Sequence, residues 1–246
     1  MFKKIALACI FFATASFATW DFFPVLENHK GETRIGATFA KQGKPMALVP
    51  YVGSRYTVLP NLELAMIVPY YVHLNINNEN GLSNPEFMAR YQFLPFLNAF
   101  LDVEAPINKA PYTGDAWEFY FGTQYSQKFG IVNLGSELGF GLETSGDNDI
   151  TPPFFLRTAL EADFEFGIPV VPLIGGTATM EIGKYSRDGK DYGNSHTGHL
   201  QGSCFGGARF VINPTFNVVA RGSITFGQHI DGDKPLAAGL KINMML

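Results

Sequence analysis

The sequence has few cysteines, few charged residues and, beyond its N-terminal segment, no long apolar run. Only two cysteines, Cys9 and Cys204, occur in 246 residues, too few for an internal disulfide framework once an N-terminal leader is lost. Charged residues make up 16% of the chain and the formal net charge is −4, which argues against nucleic acid as a partner. After the leader, no apolar run reaches the ~20 residues that a membrane-spanning helix needs. Stability must therefore come from apolar burial and backbone hydrogen bonds.

The N-terminal segment MFKKIALACIFFATASFA has the three parts of a secretory signal peptide. Two lysines precede an apolar run of about a dozen residues, and small residues lead to a cleavage site after Ala18. A lipoprotein with its lipid on Cys9 is the weaker alternative, because almost no apolar residues separate that cysteine from the lysines. We expect residues 1–18 to be removed and residues 19–246 to form one domain, in which residues 19–31 are a periplasmic lead-in.

The sequence is instead rich in phenylalanine (23) and glycine (26), and its polar and apolar residues alternate one for one. In EFMARYQFL, for example, Glu86 and Arg90 share one parity while Phe87 and Tyr91 share the other. No segment after residue 30 keeps a helical period; alternating segments recur, and a tilted strand of ~9–11 residues can cross a bilayer. The predicted strands lie near 32–40, 46–58, 62–74, 85–94, 98–106, 116–127, 131–142, 153–166, 173–185, 198–212, 215–227 and 235–246.

The connections between these segments are of two alternating kinds. Tight ones, such as LPN at 59–61 and NPT at 213–215, contain turn-forming residues. The others are mostly longer and polar, such as INNENGLSN at 76–84 and SRDGKDYGNSHT at 186–197. Short periplasmic turns opposite longer external loops are typical of outer-membrane barrels. The sequence therefore predicts an all-β fold, a transmembrane antiparallel up-and-down β-barrel of about twelve strands with both termini at the turn side.

The two parities predict two different solvents. A row of carboxylates in an apolar core would be very costly unless each were paired, whereas a water-filled lumen tolerates it. We therefore expect the polar parity to line the lumen and the aromatic parity to face outer-membrane lipid. A pore that screens solutes needs such charges, but paired ions that simply fill the lumen would use the same residues. The predicted lumen-lining residues are Arg55, Glu63, Arg90, Asp102, Glu104, Glu118, Glu137, Arg157, Glu161, Asp163, Arg209 and Arg221.

The last segment, KPLAAGLKINMML, indicates how the barrel closes. An open sheet edge in hydrocarbon leaves N–H and C=O groups unpaired, so the last strand is expected to pair with the first. Leu240, Ile242, Met244 and Leu246 share one parity up to the terminus. This pattern resembles the assembly signal of outer-membrane barrels, although those usually end in phenylalanine. The expected partners are the barrel-assembly machinery, outer-membrane lipid and a small-molecule solute.

Two segments, SRYTVLPNLELAMIVPYYVHL and NGLSNPEFMARYQFL, resemble a known family. They contain an Arg-Tyr strand, a tight turn, a Glu-Leu strand ending at Pro-Tyr, and a glycine loop before a strand with a basic residue and tyrosine. The matching residues are Arg55, Tyr56, Glu63, Leu64, Pro69, Tyr70, Gly81, Arg90 and Tyr91. The pattern is similar to that of the outer-membrane, transporter-like proteins of the phenol meta-pathway family, in which an aspartate often stands where this chain has Asn84. The resemblance implies a barrel and uptake of small molecules, with no catalytic residues to carry over.

Three functions fit a barrel of this kind. We predict a channel or transporter for small solutes, which include hydrophobic or aromatic compounds that the inward residues Phe100, Tyr120 and Phe155 would contact. The first alternative is a structural or surface-interaction barrel with a filled lumen. The second is a lipid-modifying enzyme of the outer membrane, which needs a nucleophile in contact with a base.

No catalytic residue, cofactor or metal is predicted. His196 and His199 form a close histidine pair and would need a third ligand, for which Asp188 or Asp191 is available; loop polarity explains all four residues equally well. Ser203 lies on the same predicted strand as His199, ~13 Å away at ~3.4 Å per residue, too far for a nucleophile and its base. The chain is therefore predicted not to be an enzyme.

Overall fold

The structure, a computed structural model, describes residues 22–75, 80–107, 115–146, 149–228, 230 and 232–246, apart from the side chains of 192–195. The predicted leader, residues 1–18, and its cleavage site lie outside these residues. Among the described residues, no helix is long and apolar enough to cross a membrane. The strands are β1 (Gly31–Lys41), β2 (Met46–Leu59), β3 (Leu62–His73), β4 (Gly81–Leu82), β5 (Glu86–Leu94), β6 (Leu97–Glu104), β7 (Glu118–Phe129), β8 (Val132–Glu143), β9 (Ile150–Thr151), β10 (Phe154–Phe164), β11 (Val170–Ile182), β12 (Lys184–Arg187), β13 (Lys190–Ser195), β14 (Leu200–Val211), β15 (Phe216–Gly227) and β16 (Leu236–Met245).

Twelve of these strands form a closed antiparallel barrel. Around the wall the order is β1, β2, β3, β5, β6, β7, β8, β10, β11, β14, β15 and β16, and β16 pairs again with β1. At this seam the Leu246 amide donates to the Gly31 carbonyl at 2.8 Å. Every wall strand therefore has two neighbours, and none of the twelve, as far as the structure describes them, is an edge strand. The predicted twelve-stranded all-β barrel and the pairing of its last strand with its first are both confirmed.

The two ends of the barrel differ, and we call them the turn end and the loop end. At the turn end, Asn61 between β2 and β3 has a φ of 68°, and Gly130 between β7 and β8 has a φ of 61°. Tight hairpin turns require this left-handed conformation, which asparagine and glycine adopt most readily. At the loop end, β12 and β13 form a hairpin between β11 and β14, and β12 also pairs with β9.

The distribution of side chains is the reverse of that in a soluble barrel. Large apolar residues of one parity are exposed, among them Tyr91 (51%), Leu138 (52%) and Phe140 (50%). Charged residues of the other parity are buried, as Glu63 (1% exposed) and Arg90 (2%) show. In a closed barrel, side chains buried on one parity lie inside it. An exposed apolar surface of this extent calls for an apolar environment around the barrel.

Candidate functional site in the barrel lumen

The twelve residues predicted to line the lumen all lie on the parity that the structure buries. Arg55, Glu63, Arg90, Asp102, Glu137 and Asp163 are buried. Glu104, Glu118, Arg157, Glu161, Arg209 and Arg221 are partly exposed. Their contacts divide them into a chain of paired charges towards the turn end, a row of carboxylates at the loop end, and ion pairs on the wall formed by β10, β14 and β15.

The chain of paired charges is centred on Glu63. Arg55 Nη2 donates to Glu32 Oε2 at 2.8 Å, and Arg55 Nη1 lies 3.6 Å from Glu63 Oε1. On its other side, Glu63 Oε1 accepts from Arg90 Nε at 3.0 Å and also from Arg90 Nη2. Glu63 and Arg90 meet because the register of β3 and β5 places them directly opposite one another. One buried carboxylate is therefore held between two buried guanidinium groups.

The chain continues from Arg90 to the next strands. Arg90 Nη1 donates to Gln124 Oε1 at 3.2 Å, and Gln124 Nε2 donates to Glu137 Oε2 at 2.8 Å. The Tyr120 hydroxyl donates to Glu137 Oε1 at 2.5 Å. Side chains from β1, β2, β3, β5, β7 and β8 thus form one network of hydrogen bonds and ion pairs. Glu32 and Gln124 were not predicted as site residues, although both lie on the polar parity that could have indicated them.

The segment before β1, residues 22–30, lies against this network. Leu26 N donates to Glu63 Oε2 at 3.1 Å, and Arg90 Nη1 donates to the Phe23 carbonyl at 3.0 Å. Val25 N donates to Gln92 Oε1 at 3.0 Å. Backbone polar groups need such partners when they leave water. Residues 22–26 of the predicted periplasmic lead-in are therefore in contact with the barrel interior, whereas residues 27–30 are exposed.

Small residues and short side chains of the wall make room for this segment. A Cβ atom at Gly135 would lie 2.6 Å from Phe22 Cβ, and Phe22 is 8% exposed. Thr57, which is fully buried, donates from its hydroxyl to the Leu26 carbonyl at 3.0 Å. The segment is thus in contact with β2, β3, β5 and β8, and it occupies part of the turn half of the lumen.

At the loop end, four glutamates form a row across four neighbouring strands. The register pairs Glu86 with Glu104, Glu104 with Glu118, and Glu118 with Glu143. Residues directly opposite each other in antiparallel strands have Cβ atoms about 4.5–5.5 Å apart, so like charges there repel. Asn84 Nδ2 donates to Glu104 Oε1 at 3.0 Å. Glu143 was not predicted as a lumen residue because it falls just beyond the predicted end of its strand.

Asp102 lies one step further into the barrel than this row. Its side chain is buried (5% exposed), and neither carboxylate oxygen has a hydrogen-bond partner within the part of the chain that the structure describes. Tyr120 is its cross-strand neighbour on β7. The carboxylate row and Asp102 together form a region rich in carboxyl groups, which we call the acidic mouth.

Aromatic rings and one arginine border the acidic mouth. The Phe100 and Tyr120 rings lie 4.9 Å apart, and the Tyr120 and Phe155 rings lie 6.0 Å apart and nearly parallel. Arg157 Cζ lies 4.6 Å from the centre of the Tyr120 ring, a cation–π distance. A Cβ atom at Gly139 would lie 2.6 Å from Tyr120, so only glycine leaves room for the tyrosine there.

The remaining predicted residues form ion pairs on another part of the wall. Arg209 Nη2 lies 2.9 Å from Asp163 Oδ2, and Arg221 Nη1 lies 3.7 Å from Glu161 Oε2. Arg221 Cζ also lies 3.2 Å from the centre of the Phe205 ring. These contacts link β10 to β14 and β15 across the lumen side of the sheet. They hold arginines on the side of the barrel away from the acidic mouth.

The residues weighed for catalysis or metal binding have other neighbours than expected. Ser203 shares a 2.8 Å hydrogen bond with Thr177 across β11 and β14, which matches no base–nucleophile pair. His196 and His199 approach each other, but the acidic group beside them is Glu181 rather than Asp188 or Asp191. Glu181 is distant in sequence, so its approach depends on strand pairing that sequence spacing does not reveal.

Comparison with known proteins identifies the architecture. No protein-family model and no curated protein matches the chain. An outer membrane channel from Pseudomonas putida is similar in structure, with a TM-score of 0.73 and 10% identity over 91% of this chain and 98% of its own. The NanC porin gives a TM-score of 0.61 and 7% identity over 86% of this chain and 98% of its own. The CymD monoaromatic hydrocarbon channel gives a TM-score of 0.50 and 8% identity over 90% of this chain and 89% of its own. At these identities the similarity shows the fold, which is that of outer-membrane channel barrels.

Proposed function

We propose that the protein is a channel of the outer membrane through which small solutes pass. The exposed apolar belt supports a surrounding of outer-membrane lipid, and the alternating apolar C-terminal strand supports delivery by the barrel-assembly machinery. The acidic mouth carries the proposal. In a dry, filled lumen, its opposed carboxylates would be very costly. Glu104, Glu118 and Glu143 are partly exposed, so water in an open mouth reaches them, and the loop half of the lumen is expected to be wet.

Residues 22–30 favour a second candidate, the structural barrel with a filled lumen. They lie against Glu63 and Arg90, where the charges are fully paired and no solute is needed to balance them. In the channel proposal, the same segment narrows the turn half and limits the flow. The two functions therefore differ in what happens when the segment is removed.

Planar-bilayer conductance separates the two functions. The full-length protein is compared with a variant that lacks residues 22–28, and with one in which these residues are replaced by an equally long glycine–serine segment. A channel gives single-channel steps that become larger in the deletion variant, and also in the replacement variant if the contacts to Glu63 and Arg90 hold the segment. Silence of the full-length protein, with its barrel folded, would give first place to the filled lumen, even if the deletion variant conducts.

The solute class follows from the residues at the mouth. The aromatic cluster of Phe100, Tyr120 and Phe155 borders the carboxylate row, and its partly exposed member, Phe155, offers contact area to another ring. The CymD neighbour is a channel for monoaromatic hydrocarbons. We therefore propose small solutes with an aromatic ring, and among these the carboxylates favour a positive charge.

Liposome swelling with three matched solutes tests this class. Benzylamine, benzyl alcohol and benzoate have similar size and differ in charge. The expected order of permeation is benzylamine, then benzyl alcohol, then benzoate, and the spread should shrink when Glu104→Gln and Glu118→Gln are combined. Glu165→Gln, at the turn end, is the control. An unchanged order in the double variant would reject the carboxylate row as the selective element.

A further inference from the structure

A cluster of three side chains at the loop end has no part in the proposed channel. Glu181 is the penultimate residue of β11, and His196 and His199 lie in the connection between β13 and β14. One carboxylate oxygen and one nitrogen from each imidazole all lie within 4.8 Å of one another. The side chains are 23%, 25% and 35% exposed, so solvent reaches each of them.

Backbone hydrogen bonds hold the cluster in place. Glu181 N donates to the His199 carbonyl at 3.0 Å, and Gly198 N donates to the Glu181 carbonyl at 2.9 Å. His199 N donates to the His196 carbonyl at 2.9 Å. The Tyr185 ring packs edge-on against the His196 ring, with 4.8 Å between the ring centres. The end of β11 and the turn at 196–199 are thus fixed relative to each other before any ligand binds.

The distances fit a tetrahedral metal ion. Glu181 Oε2 lies 3.0 Å from His196 Nδ1 and 3.9 Å from His199 Nδ1. Zinc bonds of about 2.0–2.1 Å in tetrahedral geometry place neighbouring ligand atoms roughly 3.3–3.5 Å apart. The two observed distances lie on either side of this range, and all three ligand atoms lie within 4.8 Å of one another, so side-chain rotations can close the site.

The donor set selects the kind of metal. Imidazole nitrogens with one carboxylate suit zinc, copper and nickel, whereas calcium and magnesium prefer oxygen ligands alone. Two neutral imidazoles and one carboxylate leave one positive charge on a bound divalent ion, and three protein ligands leave a coordination position for water. We propose that Glu181, His196 and His199 form an open, three-ligand site for a divalent transition-metal ion such as Zn²⁺.

The site would connect two parts of the loop end that are separate in sequence. Its ligands come from the end of β11 and from the segment that leads into β14, and the β12–β13 hairpin lies between them. An ion bound by all three ligands therefore clamps the base of this hairpin. This effect is independent of whether the lumen conducts, because neither the acidic mouth nor residues 22–30 contribute a ligand.

Zinc titration of the full-length protein tests the site. The protein is purified in detergent with a histidine-free affinity tag, stripped with EDTA, and titrated calorimetrically with Zn²⁺ alone. One Zn²⁺ per barrel is expected. Glu181→Gln and His199→Ala should each weaken zinc binding at least ~10-fold. Loss of a residue that only hydrogen-bonds to a metal ligand already costs about that much, and each of these substitutions removes a ligand itself. Co²⁺ in the same site should give the visible absorption of a four-coordinate ion.

Controls make each outcome decisive. His29→Ala changes a histidine at the turn end, beside Tyr56, and should leave zinc binding unchanged. Excess Ca²⁺ should not displace the zinc, because calcium prefers oxygen ligands alone. Displacement would show that the zinc is bound by the carboxylates of the acidic mouth instead. Gel mobility before and after boiling shows that each variant is folded, and His196→Ala replaces any variant that is not. Absence of binding, or equal binding by the wild type and the ligand variants, would overturn the proposal.

Discussion

The same substitution, Glu to Gln, is expected to have opposite effects on stability at Glu63 and Glu118. Glu63 is 1% exposed and lies between Arg55 and Arg90, with Leu26 N as a further donor. Glu118 lies between Glu104 and Glu143 in the register of the wall. Glutamine keeps the shape of the side chain and removes its charge. The pair of variants therefore isolates the electrostatic contribution at two levels of one lumen.

The magnitudes follow from the neighbours. Breaking a buried ion pair lowers the free energy of unfolding by about 3–5 kcal/mol. In Glu63→Gln the loss is smaller, because glutamine still accepts one hydrogen bond and Arg55 still pairs with Glu32. We therefore expect this variant to lose about 2–3 kcal/mol. At Glu118, each like-charged cross-strand pair costs about 0.2–1 kcal/mol, and its attraction to Arg157 offsets part of this. Glu118→Gln should therefore stabilise the barrel by up to about 1 kcal/mol.

Urea unfolding in lipid vesicles at mildly alkaline pH measures both effects. Intrinsic fluorescence is followed together with the fraction of the protein that migrates as the folded form on a gel when the sample is not boiled. A closed barrel keeps its strand pairing in detergent until it is boiled. Glu27→Gln, at an exposed position in the segment before β1, shows the effect of the same change without burial. Equal destabilisation by Glu63→Gln and Glu118→Gln would refute the division of the lumen into paired and unpaired halves.

Three further outcomes are expected. Arg90→Ala removes the donor to the Phe23 carbonyl, so residues 22–30 should become sensitive to protease from the turn end, while Arg209→Ala should leave them protected. Leu138→Arg places a charge on the exposed parity and should cost about 2–4 kcal/mol if the position is near the bilayer midplane, seen as loss of heat-modifiable protein, whereas Leu138→Met is tolerated. The intact mass of the membrane-bound protein should equal that of a chain that begins at Thr19. A mass that includes a lipid on Cys9 would contradict the proposed export route.

The wall of the barrel could be predicted from the sequence because its two faces meet different solvents. Alternation with a period of two identifies a strand and both of its faces at once. The Glu86–Leu94 strand shows this, since its polar parity is buried or partly exposed, whereas Phe87 and Tyr91 are exposed. Strand boundaries are harder to predict: β11 begins at Val170 rather than at the predicted residue 173, because Pro172, on the exposed parity of the strand, also fits a turn.

The contents of the lumen could not be predicted in the same way. Residues 22–30 have no period, and their partners lie far along the chain: Val25 and Gln92 are 67 positions apart. The approach of Glu181 to His196 and His199 likewise depends on how β11 pairs with β14. Sequence spacing carries neither relation, since both arise only after the sheet has closed.

Register, rather than composition, decides what the lumen charges do. The polar parity supplies acids and bases all round the wall, yet the alignment of β3 with β5 places Glu63 opposite Arg90. The alignments of β5 with β6, β6 with β7 and β7 with β8 instead place four glutamates side by side. In the turn half, acidic and basic side chains pair with each other, and a backbone segment can bind to them. In the loop half, glutamates face glutamates, so water or a cation is required to stabilise them. In the proposed channel, a solute would pass from the acidic mouth to the part of the turn half where residues 22–26 contact Glu63 and Arg90, and we expect the strength of those contacts to set the barrier to its passage.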